Sequence, residues 1–209
     1  MRSMAVTPLA WATPPEWVAA VATDTLALLS DHAHCELKAA SSAHALIAKN
    51  PERTELVRDL ANIAIEELEH FKVVVTELEA RGGSLGEQTE NLYAATLHRR
   101  SAESRESLVL DRLVIAHLIE ARSLERFHLL AEHSADDRLR ELFAELLPSE
   151  AAHQGFYAKA ARSLFGRTRA DARIACLRQL EGEIVAALPF SYTVHSGMVG
   201  APERGQGER

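Results

Sequence analysis

Apolar residues recur every three to four positions along four long stretches of this chain. One stripe reads Leu29, Ala33, Glu36, Ala40, Ala43, Ile47, and a second reads Leu56, Leu60, Ile63, Glu67, His70, Val74. A third reads Leu113, Ala116, Glu120, Leu124, Phe127, Ala131, and a fourth Leu139, Phe143, Leu146, Glu150, His153, Tyr157. This period is that of a helix with one face turned to a core. Each stripe is apolar until a Glu, or a Glu followed three residues later by a His, takes a core position.

The ends of these stripes predict where helices stop. A helix over about 24–49 ends at Asn50-Pro51, because the residue before a proline is pushed out of the α region. The next, over about 51–81, ends at Gly82-Gly83. Helices over about 106–133 and 136–165 flank the turn "SADD", and a fifth over about 169–188 stops at Pro189. A short helix is expected at "TPPEW", capped by Thr13 with Pro14 in its first turn. Residues 82–105 form the one internal link too long for a hairpin, with a short helix near "NLYAATLHR". Two helical hairpins joined by a long crossover predict an all-α, ferritin-like four-helix bundle with additional N- and C-terminal helices. One domain over 1–188 is expected, and residues 189–209 are expected to be a largely disordered tail.

Composition agrees with long helices. Of 209 residues 47% are hydrophobic and 25% charged, with few Gly and Pro. Cys35 and Cys176 stand alone, which excludes a disulfide framework or a CxxC-type zinc or redox module. The chain opens without a basic-then-apolar leader and has no long apolar run, so a soluble cytoplasmic protein with no membrane contact is expected. A formal charge of −7 argues against general nucleic-acid binding unless some carboxylates belong to a buried site.

The interrupted stripes suggest such a site. Folding each hairpin at its turn puts Glu36, Glu67, Glu120 and Glu150 each about fifteen residues from the turn, roughly 22 Å along a helix. The four carboxylates, with His70 and His153, therefore meet at one level. Burying even one unpaired charge costs several kcal/mol, so a positive partner is needed between them. One Glu from each of two helices and Glu-x-x-His from each of the other two is the ligand set of di-iron and di-manganese carboxylate proteins. A third such pair, Glu125 and His128, lies off the stripe and reads as a surface pair. Tyr157, His117 and Ser123 lie a turn from the proposed ligands and are candidates to support them. Cys35 faces sideways and reads as inert. Pro148 predicts a kink or bulge before Glu150. Ala33, Ala40, Ala43 and Ala116 would leave room beside the site.

The stretches "HAHCELKAA", "EELEHF", "LIEARSLERF" and "SEAAHQ", with "LAWATPPEWV" and "VHSG" near the ends, resemble the bacterial tRNA 2-methylthio-N(6)-isopentenyladenosine hydroxylase family, MiaE, over about residues 8–197. Members usually have Cys where this chain has Ser123, and a helix-friendly residue in place of Pro148. The resemblance implies a non-haem di-iron monooxygenase with two iron ions as cofactor and O₂ as co-substrate. Its partners would be the tRNA anticodon loop, where it hydroxylates the isopentenyl group at position 37, and an external electron donor. It would act as a monomer or small homo-oligomer. Glu36, Glu67, His70, Glu120, Glu150 and His153 match the family's metal ligands. Arg99, Arg100, Arg167, Arg169 and Arg173 are candidates for a phosphate-binding rim that offsets the acidic charge. The competing readings are ferritin-like iron oxidation and storage, or peroxide reduction by a rubrerythrin-like protein.

Overall fold

The computed structural model describes residues 8–104 and 107–201. Its helices are α1 (Glu16–Val21), α2 (Thr25–Lys49), α3 (Thr54–Ala80), α4 (Leu92–Ser101), α5 (Leu108–His133), α6 (Asp137–Phe165) and α7 (Arg167–Ala187). The most extensive contacts are α2 against α3 and α5 against α6, the two hairpins, while α3–α6 and α2–α5 contacts close the bundle. This is the expected all-α, ferritin-like arrangement. Caps mark the starts: the Asp24, Asn91, Ser107 and Asp136 side chains each accept a hydrogen bond from a first-turn N–H. Among the described residues no helix is long and apolar enough to cross a membrane.

The crossover between α3 and α4 leaves its helix at Gly82, whose φ of 78° favours glycine, while the Gly83 N–H returns to the Leu78 carbonyl. The chain then runs beside α2, held by three contacts: Gly86 N–H to Ser30 Oγ at 3.0 Å, His34 Nε2 with the Gly86 carbonyl at 2.9 Å, and Lys38 Nζ to the Thr89 carbonyl at 2.9 Å. Helix α4 then packs on α7 and α5. The long link is thus a wall across one side of the bundle.

Two sequence expectations change at the ends of the chain. Helix α1 begins at Glu16 after Pro15, with no side-chain cap. Thr13 instead gives its N–H and its hydroxyl to the Glu125 carboxylate, at 2.9 and 2.7 Å. Glu125 is therefore an anchor for the N-terminal segment rather than half of a surface pair, and the exposed His128 pairs with Glu132. The second change concerns the expected tail. Residues 189–201 are described and folded onto the bundle, with Val194, His195 and Ser196 buried; residues 202–209 lie outside the described part. The Val194 N–H reaches Asp31, Trp17 Nε1 reaches Ser196 Oγ, and Arg126 donates to the Val194 and Ser196 carbonyls. At Gly197 an added Cβ would fall 1.8 Å from the Leu188 carbonyl oxygen, so this strap needs a glycine there.

Helix α6 continues across Pro148, although an interior proline costs a helix about 3 kcal/mol. Elsewhere, one buried ionic cluster ties the ends to the bundle. Arg122, with no exposed surface, donates to both oxygens of Glu181 at 2.8 and 3.0 Å, to Glu125 and to the Trp11 carbonyl; Tyr93 donates to Glu181 at 3.1 Å. Removing one partner strands the other charge. Glu181→Ala is therefore expected to destabilise the protein by about 3–5 kcal/mol in urea unfolding, and a loss below about 1 kcal/mol would show the cluster to be dispensable.

Candidate metal centre

Midway along the bundle the apolar stripes give way to acid and imidazole. Glu36 from α2, Glu67 from α3, Glu120 from α5 and Glu150 from α6 are all buried, as is His153; His70 is nearly so. Their ligand atoms form two groups, Glu36, Glu67, His70 and Glu150, and Glu67, Glu120 and His153, within each of which the atoms lie no more than 4.8 Å apart. The six residues singled out in the sequence therefore converge, with Glu67 common to both groups. His70 Nδ1 lies 3.7 Å from Glu36, 3.6 Å from Glu67 and 3.8 Å from Glu150. His153 Nδ1 lies 2.9 Å from Glu67.

The electrostatics are those of a site short of positive charge. Burial pushes Glu36, Glu120 and Glu150 well above the usual carboxylate range, and their neighbouring carboxylates add to this. Burial alone would raise Glu67 as well, but His153 and His70 hold it well below that range. Burial alone would lower the histidines; the surrounding carboxylates, Glu36 and Glu67 around His70 and chiefly Glu67 around His153, instead raise them to about 10 and about 9. Among the described residues the inward His70 Nδ1 has no hydrogen bond, and Glu67 Oε1 and His153 Nδ1 have no partner but each other. Unsatisfied buried donors and acceptors are costly, and a cation among these oxygen and nitrogen ligands would satisfy them together. The residues fit a metal site.

His32, one turn before Glu36 on α2, was not picked out from the sequence. Its Nε2 lies 2.5 Å from Glu36, its ring stacks on Phe143 at 5.3 Å and meets Phe127 at 4.7 Å, and burial lowers it to about 3. A neutral imidazole wedged between aromatic rings fixes the direction of the Glu36 carboxylate. The i, i+4 spacing of His32 and Glu36 was the available signal.

The supporting candidates have different places. His117 joins its Nδ1 to the Gln154 carbonyl at 2.9 Å, which couples α5 to α6 one residue past His153. Ser123 contacts Nε2 of His195 on the C-terminal strap at 3.2 Å. His195 stacks on Tyr93 with 4.9 Å between centroids, and burial with Arg126 and Arg122 nearby keeps it neutral. Cys35 lies 3.8 Å from His195 and from Asp31, and burial pushes its thiol up, the behaviour of an inert cysteine. Tyr157 is buried, with its phenol pushed up by burial and by Glu120.

A cavity of about 460 Å³ connects this centre to the surface between α2, α4 and α5. Its floor is made by Glu120, Tyr157, His195, Ile115 and Leu46, all buried, and its rim by the exposed Ser41, Ser42, Gln88 and His98 together with Lys38 and Arg112. Of the alanines expected to line it, Ala116 does; Ala39, Ala45 and Ala94 take the places expected for Ala33, Ala40 and Ala43. The arginines expected at a phosphate rim lie elsewhere. Arg173 is buried and donates to both oxygens of Asp111 at 2.8 and 3.0 Å, a structural ion pair. Arg100 faces Glu183, Arg99 bonds Thr96, Arg167 is exposed beside Asp171, and Arg169 stacks on Phe165.

Comparison with known proteins agrees with the geometry. The family model described as tRNA-(MS[2]IO[6]A)-hydroxylase (MiaE) matches residues 3–196. A tRNA 2-(methylsulfanyl)-N(6)-isopentenyladenosine(37) hydroxylase from Pseudomonas putida is 34% identical over 186 residues, 89% of this chain and 90% of that protein. A protein of the same description from Salmonella typhimurium is 28% identical over 152 residues, 73% of this chain and 56% of that protein. A solved Synechococcus structure, titled as a protein with aldehyde deformylating oxygenase activity, superposes with a TM-score of 0.84 at 36% identity, covering 90% of this chain and 96% of its own. With the family model spanning nearly the whole chain and the Pseudomonas putida hydroxylase 34% identical over 89% of it, this protein belongs to the MiaE family of tRNA hydroxylases.

Proposed function

We propose that this protein is a di-iron monooxygenase that hydroxylates the isopentenyl group of (2-methylthio-)N(6)-isopentenyladenosine at position 37 of tRNA, in the cytoplasm, with O₂ and electrons from an external donor. The observation that carries the reading is the cavity, whose floor includes Glu120 of the carboxylate cluster and whose rim is polar. Glu36, Glu67, His70 and Glu150 would hold one iron, and Glu67, Glu120 and His153 the other. Iron bound there supplies the activation of O₂ and the insertion of oxygen into an unactivated C–H bond, which no side chain performs.

The chain's own residues do the rest. Ile115, Ala116, Ile119 and Tyr157 make an apolar floor for the prenyl group and keep water from the reacting carbon. The Tyr157 phenol stays protonated beside Glu120 and is placed to donate a hydrogen bond at the inner end. At the rim, Lys38 and Arg112 offer positive charge to the loop phosphates; among the described residues Arg112 makes no hydrogen bond or ion pair. Arg99, Arg100, Arg167 and Arg169 lie off this rim, so they would meet only more distant parts of the tRNA. The Synechococcus likeness makes an aldehyde the comparator substrate. A rim of Lys38, Ser41, Gln88, His98 and Arg112 suits a nucleotide better than an uncharged aldehyde.

The direct test is mass spectrometry of nucleosides from isopentenylated tRNA incubated with iron-loaded protein, O₂ and a chemical reductant. One added oxygen on the prenylated adenosine, only when iron is present, is expected; conversion of an aldehyde with no change in the tRNA would overturn the reading. Ala116→Phe fills the cavity below its rim, and should cut kcat/KM on tRNA by at least tenfold while two irons remain bound. Normal turnover in that variant would move the substrate path elsewhere.

Metal uptake should release protons, because the raised His70 and His153 and the raised carboxylates give up theirs to bind it. Calorimetry in buffers of different ionisation enthalpy should find net release at pH 7 and tighter binding at pH 8 than at pH 6; no release would contradict the assigned ligands. In the metal-free protein both imidazoles are raised above 6.5, so their ion pairs stabilise the fold below that pH. That contribution is lost as pH rises through about 9 and about 10, and thermal stability should fall across that window.

A further inference from the structure

The two halves of the bundle repeat the same element, Glu-x-x-His, and the residue just before each of these glutamates has a second task. Glu66 precedes Glu67 on α3, and Ser149 precedes Glu150 on α6. Each reaches across to the histidine of the opposite helix. Glu66 Oε2 lies 2.8 Å from Nε2 of His153, and Ser149 Oγ lies 3.0 Å from Nε2 of His70. Pseudo-symmetry therefore places a backing group behind both imidazoles, and breaks only in what that group is.

Both backing groups hold the Nε2 proton, so Nδ1 is the nitrogen that would lose its proton to a metal. Ser149 donates its single proton to the Leu146 carbonyl at 3.1 Å, so toward His70 it accepts. A carboxylate accepts too, so Glu66 takes the Nε2–H of His153. In each case Nδ1 is the nitrogen turned to the carboxylate cluster. The electronic effects differ, however. A carboxylate behind an imidazole draws on the Nε2 proton and makes Nδ1 a stronger donor, whereas a neutral hydroxyl does little beyond orienting the ring.

The donor sets are uneven in the complementary sense. Three carboxylates, Glu36, Glu67 and Glu150, gather with His70, but only Glu67 and Glu120 with His153. The histidine with fewer carboxylates beside it is the one with a carboxylate behind it. Glu66 is half exposed, and among the described residues its carboxylate makes no other hydrogen bond or ion pair, so its charge is free to serve this contact. Resting on the metal-binding reading above, we propose that the two metal positions are inequivalent, and that Glu66 is the positioning residue that strengthens the His153 position while Ser149 only orients His70.

The test is titration of the metal-free protein with Co(II), followed by visible absorption and calorimetry. Wild type should bind two ions. Glu66→Ala should weaken one of the two steps by about ten- to a hundredfold and change the absorption of that step alone. Glu66→Gln keeps an acceptor without the charge and should recover part of the loss. Ser149→Ala should shift its step by less than about threefold, since only a neutral contact is removed. A Glu66→Ala isotherm that overlays wild type, or one in which both steps weaken equally with helix content intact, would overturn the assignment and leave the metal site standing. Wild type binding fewer than two ions would overturn the metal reading itself, and this inference with it.

Discussion

Burying carboxylates at one level of a helical bundle carries a penalty of several kcal/mol for each charge left uncompensated, and the architecture of this protein follows from that constraint. The cluster is tolerable only with protons or metal between the ligands, and the metal-free centre shows the first solution. Three glutamates are pushed toward their neutral form and two imidazoles toward their charged form, while Glu67, at the centre of both groups, stays ionised between the histidines. A divalent cation bound there would replace those protons with a stronger partner. His32, held neutral between Phe127 and Phe143, and Glu66 and Ser149, behind the two histidines, set directions that the ligands alone would not keep.

Such a centre needs helices that do not shift, and much of the remaining polar chemistry supplies that rigidity. Arg122 and Glu181 lock α5 to α7 and receive Thr13 and Trp11 from the N-terminal segment through Glu125 and the Arg122 guanidinium. Arg126, also without exposed surface, binds the carbonyls of the C-terminal strap, whose His195 then closes one wall of the cavity. The chain ends are thus part of the pocket. The acidic net charge ceases to conflict with a nucleic-acid substrate once the four clustered carboxylates are counted as buried and the rim presents Lys38 and Arg112.

Helix periodicity and matched depth made the bundle and the six converging residues legible in the sequence, because both follow from fixed helix geometry. What stayed hidden depends on contacts between residues distant along the chain. Thr13 read as a helix cap because its hydroxyl had no visible alternative partner; Glu125 is 112 residues away. Arg173 read as a surface cation because its mate, Asp111, sits two helices earlier. The stretch from 189 read as a tail because glycine and polar residues carry no period, although Gly197 is there for a backbone contact. Glu66 lay hidden beside Glu67: only the packing of α3 on α6 reveals that it faces His153.

The central claim is that these six side chains surround two metal ions. Anomalous diffraction from crystals of the protein loaded anaerobically with Fe(II) and collected at the iron edge tests it most directly. The account predicts two peaks within the bundle, one among Glu36, Glu67, His70 and Glu150 and the other among Glu67, Glu120 and His153. A single peak, or iron bound only at surface carboxylates, would contradict it.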